Sequence, residues 1–206
     1  MTDMGAFRTA VTAWAAGGGP GGLAQDLADR LLLHTAVLLE GPSDAAAVEA
    51  LAARHGRDLA AEGVCVLPMG GAMSVGRFAE LLGPSALDLR LVGLCDEREQ
   101  DFYVRALKRA DASPQGLFVC AADLEDELIR ALGVSTVTEL VEAEGESRRL
   151  QTFLRQPAQQ GRAAHQQLRR FLGTKAGRKI RYGRVLVEAL EPARTPAPLE
   201  GLFGAL

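Results

Sequence analysis

Residues 34–56 read HTAVLLEGPSDAAAVEALAARHG. The apolar run from Ala36 to Leu39 suits one buried strand, Glu40-Gly41 ends it, and an alanine-rich helix opens at Ser43 and stops at Gly56. Asp44 is an ordinary acid for a first helical turn, where unpaired N–H groups favour an anion. Glu40 has no such explanation, because it closes a strand whose other side chains are apolar.

The same succession recurs down the chain. Strands are expected at Val64 to Pro68, Leu89 to Cys95 and Leu117 to Cys120, and helices at Ser74 to Leu82, Glu97 to Ala110 and Asp123 to Leu132. Short apolar strands alternating with helices of this length require right-handed crossovers and a parallel sheet covered on both faces. The expected class is α/β with about four parallel strands. Residues 1–33 read as a helical lead-in with a flexible GGGPGG break at 17–22, residues 34–132 as the core, and residues 133–206 as a helical C-terminal extension.

With 206 residues, 48% hydrophobic but only 5% aromatic, the chain can build one core of small aliphatic side chains. A formal charge of −3 argues against a generic coat for polyanions. Cys65, Cys95 and Cys120 lie in apolar runs without metal-ligand spacing and read as core residues. No apolar run has the ~18 residues of a membrane span, so a cytoplasmic protein with no membrane partner is expected.

In an open parallel sheet the carboxyl ends of the strands share one edge, where such folds bind ligands. Glu40 and Asp44 follow the first strand, Asp96, Glu97 and Glu99 the third, and Asp123, Glu125, Asp126 and Glu127 the fourth. Singly, several are ordinary helix-start acids: Asp123 and Ser43 are adequate N-caps. Together they would repel one another and raise their own pKa values unless a cation were bound. The donors are all oxygen, and His34, His55 and His165 are scattered, which favours Mg²⁺ or Mn²⁺ over zinc.

The charge of opposite sign is segregated. From Arg162 to Arg184 there are eight Lys/Arg residues and no Asp or Glu, and Arg169, Arg170, Lys175, Arg178, Lys179, Arg181 and Arg184 are candidates for contact with a nucleic-acid backbone. Lysine is scarce: Lys108, Lys175 and Lys179 stand against 20 arginines.

An apolar strand ending in Glu40-Gly41-x-x-Asp44, followed by a strand ending in acids, resembles the TOPRIM domain of topoisomerases, primases and the overcoming-lysogenization-defect (OLD) nucleases. The DLEDEL segment after the fourth strand and the PMGGA turn after the second resemble the OLD branch. The resemblance implies a Rossmann-like TOPRIM core and a Mg²⁺- or Mn²⁺-dependent endonuclease acting on DNA, with two ions expected and one sufficient if the second is weakly held. It assigns metal binding to Glu40, Asp44, Asp96, Glu125 and Glu127, proton relay to Glu40, and stabilisation of transition-state charge to Lys179, with Lys175 as alternate. The second motif departs from the family's Asp-x-Asp: Arg98 takes the third position, so Glu97 or Glu99 must substitute. Ala72 stands where relatives often carry lysine, while Gly70 and Gly71 allow close backbone approach. No phosphate-binding G-x-x-x-x-G-K-[ST] loop is present, so an ATPase would be a separate partner; a homodimer is compatible. Two other functions share these residues: a non-catalytic DNA-binding or scaffold module, and a primase-type nucleotidyl transferase.

Overall fold

Each apolar run becomes a strand and each periodic segment a helix. The computed structural model describes residues 3–19 and 21–206. Two helices, α1 (Asp3–Ala15) and α2 (Gly21–Arg30), precede β1 (Thr35–Leu39), α3 (Pro42–Arg54), β2 (Val64–Pro68), α4 (Val75–Leu82), β3 (Arg90–Asp96), α5 (Gln100–Arg109), β4 (Leu117–Cys120) and α6 (Leu124–Leu132). The remainder is helical: α7 (Val134–Ala143), α8 (Ser147–Leu154), α9 (Ala164–Leu172), α10 (Ala176–Ala189) and α11 (Ala197–Gly204). Within the expected break at 17–22, Pro20 lies outside the described residues, and Gly17 turns the chain with φ 79°.

One expectation is corrected at the start of α3. Gly41, extended at φ −145°, is the N-cap in place of Ser43, and Pro42 takes the first helical position, where its missing N–H costs nothing. Ser43 is thereby drawn inside the helix and buried.

The sheet is parallel throughout, in the order β2-β1-β3-β4. Leu38 lies opposite Leu67 on one side and Gly93 on the other, and Asp96 opposite Cys120. Alternate side chains feed two cores. Val37, Leu39, Val92 and Leu94 pack with α3, α6 and the C-terminal helices, whereas Ala36, Leu38, Leu91 and Cys95 pack with α1, α2, α4 and α5. All three cysteines are free and buried. No helix of the described residues is long and apolar enough to cross a membrane.

This order decides where a ligand can sit. From β1 the chain crosses by α3 to β2 on one flank; from β2 it returns by α4, on the other face, to β3 on the opposite flank. The connections after β1 and β3 therefore diverge and leave a crevice between those strand ends, the topological switch point of the sheet.

Helix α10 closes the crevice from the side of α3. A Cβ at Gly183 would lie 2.4 Å from the Ser43 carbonyl oxygen, so the two backbones touch and only glycine fits. Lys179 lies four residues earlier, on the same face of α10. Gly183→Ala should cost roughly 1–3 kcal/mol by overpacking and lower the urea midpoint. An unchanged midpoint would show that the helices do not meet there.

Candidate functional site

Glu40 and Asp96 stand at the two lips of the crevice. The Glu40 carbonyl is pinned, accepting from Gly71 N–H at 2.9 Å, while Met69 N–H donates to Leu39 O at 2.9 Å. This grip depends on the turn after β2, where Gly70 and Gly71 take φ 76° and 127°; nothing lies within 4 Å of where either Cβ would be.

The chain after Asp96 makes a 3₁₀ turn, Glu97–Glu99, before α5. With three residues per turn, positions i and i+3 eclipse, so Glu99 falls over Asp96. Glu97 and Arg98 are exposed. Of the two substitutes that the sequence leaves open, Glu99 is the one turned inward: Glu40, Asp96 and Glu99 each offer one oxygen, all within 4.8 Å of one another. Glu99 Oε2 is buried and, among the described residues, has no hydrogen-bond partner.

The crowding appears in the protonation behaviour. Asp96 is pushed up to about 7, first by burial and then by Asp123, Glu99, Glu40 and Asp44. Glu99 is raised by burial, Glu40 and Asp44. Three mutually repelling oxygen donors with an unpartnered buried atom are what a hard divalent cation requires, so the residues present fit such an ion.

Asp44 and Glu125 form a second group. Asp44 caps α3, its Oδ2 accepting from Gly41 N–H at 3.0 Å. Burial raises its pKa, while Lys179 pulls the other way. Glu125, buried in the first turn of α6, is pushed up to about 7 by burial, against the pull of Lys179 and with the push of Asp123 and Asp44. Lys179 Nζ lies 3.4 Å from Glu125 Oε1. Burial works against its charge, but Glu125, Asp44 and Asp123 more than offset that and raise its pKa. A protein cation thus already serves this pair. Glu127 faces another way: its Oε1 accepts from Ala121 N–H at 2.9 Å and pairs with Arg130 at 3.0 Å.

Residues 31–97 match the family model for the overcoming lysogenization defect protein-like TOPRIM domain. Residues 31–97 are a TOPRIM domain of the OLD type. The C-terminal region of the Burkholderia pseudomallei OLD protein superposes with a TM-score of 0.60 at 18% identity, over 84% of this chain and 96% of that one. The C-terminal region of the Xanthomonas campestris pv. campestris OLD protein does so with a TM-score of 0.63 at 22% identity, over 85% and 93%. A comparison with curated proteins finds no match. The α/β fold is that of these OLD C-terminal regions.

The basic segment that flanks the TOPRIM edge is less uniform than its sequence. Arg170, Lys175 and Arg184 are exposed, and Arg181 pairs with Glu144 at 3.4 Å. Arg178 is withdrawn from the surface, correcting its reading as a nucleic-acid contact. Only 6% exposed, it donates to both Glu146 oxygens at 2.8 and 3.0 Å and lies 4.0 Å over the Phe171 ring. Glu146, which no sequence pattern singled out, is held by Arg178 well below the usual carboxylate range, at about 2.

Asp123 carries more than its role as a cap. Its Oδ1 accepts from Asp126 N–H at 2.8 Å, as the sequence suggests, but its Oδ2 binds Arg169 at 2.6–2.7 Å and its charge is the foremost one pressing on Asp96. A partner 46 residues away leaves no local signal.

The raised groups fix a pH dependence. Asp96 and Glu125, at about 7 when folded against 3.8 and 4.5 unperturbed, make the folded state hold extra protons between those limits. Stability in EDTA should therefore fall as pH rises through about 4 to 7 and level off above. Glu146 acts oppositely, losing its contribution only as pH falls from 4.5 towards about 2. Melting curves in EDTA should show the decline, and Asp96→Asn should flatten it and raise the melting temperature above neutrality. A melting temperature that climbs across the window equally in both proteins would mean that the carboxyls are solvated and apart.

Proposed function

We propose that this protein is a divalent-metal-dependent endonuclease that cleaves phosphodiester bonds in DNA. The carrying observation is the meeting of Glu40, Asp96 and Glu99 oxygens within 4.8 Å at the switch point of a TOPRIM sheet. Those three residues would hold Mg²⁺ or Mn²⁺. Asp44 and Glu125 are the donors for a second ion, which would have to displace Lys179 from Glu125. When bound, such ions polarise a phosphoryl oxygen and lower the pKa of a water.

The chain's own groups do the rest. Glu40, at the lip, would accept the proton of the attacking water on its free carboxylate oxygen as the water oxygen bonds to phosphorus and the P–O bond to the leaving strand end breaks, the departing oxygen taking its proton from solvent. With a single ion bound at Glu40, Asp96 and Glu99, Lys179 Nζ, kept protonated by Glu125 and Asp44, donates to the non-bridging oxygen on which charge builds during cleavage. A compact ammonium suits this narrow position. Arg170, Lys175 and Arg184 offer exposed charge to the strand. Three free buried thiols fit the reducing cytoplasm.

Plasmid DNA incubated with the protein and Mn²⁺ should be nicked or linearised, and EDTA should abolish this. Glu40→Gln should lose at least ~100-fold, the upper figure for removing groups one layer outside a metal's ligands. Binding without turnover in every metal would leave a DNA-binding or scaffold module; equal cleavage in wild type, variant and EDTA samples would expose a contaminant.

A further inference from the structure

A cleft of about 610 Å³ opens beside the acidic edge, lined by Asp123, Phe153, Arg162, Arg169, Arg170 and Thr174, with Gln166 and Gly173 completing it. Its chemistry is one-sided. Three arginines line it, and only Arg169 has a carboxylate partner; among the described residues neither Arg162 nor Arg170 takes part in an ion pair. Arg162 is oriented by donation from Nε to Ala158 O at 2.8 Å, which leaves its terminal nitrogens free for another acceptor.

The walls are fixed from behind. Thr174 donates to Phe171 O at 2.7 Å and accepts from Arg178, which the buried Glu146 holds in place. Phe153, tilted against Phe171 at 5.6 Å between ring centroids, supplies an apolar surface. A pocket of this size with convergent donors and one aromatic wall is ready-made for a small ligand, and unpaired arginines select an anion, with forked geometry suited to phosphate.

Position relates the cleft to the reaction. Asp123 belongs to both places: Oδ2 receives Arg169 at the cleft, and the same carboxylate presses on Asp96 in the crevice. A chain bound across Asp123 would enter the cleft as it leaves the acidic edge.

We propose that this cleft is a phosphate subsite, holding one phosphate-sugar unit of the nucleic-acid strand next to the bond that is cut, with Arg162 and Arg170 as its anion contacts and Arg169 as the residue that aligns it with the acidic edge. The proposal rests on the nuclease reading for its substrate, but its test does not require turnover. A bound strand hands its phosphate to Arg162 and Arg170 without breaking any existing ion pair, whereas Arg169 must share its guanidinium between Asp123 and the ligand.

Binding of a fluorescein-labelled single-stranded oligonucleotide, followed by anisotropy in EDTA at several salt concentrations, tests this on the full chain. Arg162→Ala combined with Arg170→Ala should weaken binding about tenfold and reduce the slope of log K against log salt by about 1.4, two contacts at ~0.7 each. Arg194→Ala, an exposed arginine outside the cleft, should change neither. Inorganic pyrophosphate should compete with the oligonucleotide in the wild type and lose that ability in the double variant. Wild-type and double-variant proteins that bind with equal affinity and slope would overturn the subsite, as would a wild type that does not bind at all. Subsite binding without plasmid cleavage would remove the nuclease reading and leave the cleft; cleavage with no effect of the double variant on binding would do the reverse.

Discussion

Like charges held together in a crevice are the constraint on which the rest of the structure turns. Glu40, Asp96 and Glu99 approach within 4.8 Å, with Asp44, Glu125 and Asp123 in the same field. Such an arrangement opposes folding at neutral pH unless protons or cations answer it. The hydrophobic effect supplies the means of holding it: the same strands that end in these acids bury apolar side chains on both faces, and the acids ride on the ends of elements already fixed by packing. The crevice exists because the sheet order reverses between β1 and β3, not because the acids attract one another.

The countermeasures are built into the C-terminal helices. α10 approaches α3 closely enough for Gly183 to touch the Ser43 carbonyl, and that contact brings Lys179 over Asp44 and Glu125. α10 is itself anchored at its other face by the Arg178–Glu146 pair. Removing one partner of such a buried pair would strand the other charge, which is why it can fix the position of a helix without adding much net stability. The tail is therefore part of the TOPRIM edge in a physical sense: it carries the cation that the edge lacks.

Strands, helices and the shared edge were legible in the sequence, because apolar runs of four to seven residues bounded by Gly, Pro and acids allow few other readings. The choice between Glu97 and Glu99 was not: the segment reads as helical from Glu97, and it is the 3₁₀ turn found after Asp96 that brings Glu99, and not Glu97, back over it. What else stayed hidden depends on contacts distant along the chain. Nothing local distinguishes Arg178, turned inward to Glu146, from Arg181 or Arg184 nearby, and nothing local marks Asp123 as the partner of Arg169. The misplaced cap at Ser43 has a nearer cause: Pro42 is so well suited to the first helical position that it moves the boundary one residue back.

The imbalance between arginine and lysine acquires a structural meaning. Arginine appears where a planar fork can engage two acceptors or bridge elements: Arg178 spans both Glu146 oxygens and the Phe171 carbonyl, Arg169 places two nitrogens on Asp123, and Arg130 reaches Asp126 and Glu127 together. Each is a fixed strut, and a guanidinium engaged in this way has little freedom to follow a reacting group. Lys179 makes one long contact at 3.4 Å and is held by the field of three carboxylates more than by geometry. A charge retained by a field, on a flexible stem, can shift towards an anion that enters the crevice while remaining protonated. Among the described cations around this edge, Arg169 and Arg178 are the struts and Lys179 is the one left free to move, while Arg162 and Arg170 stay unpaired beside it.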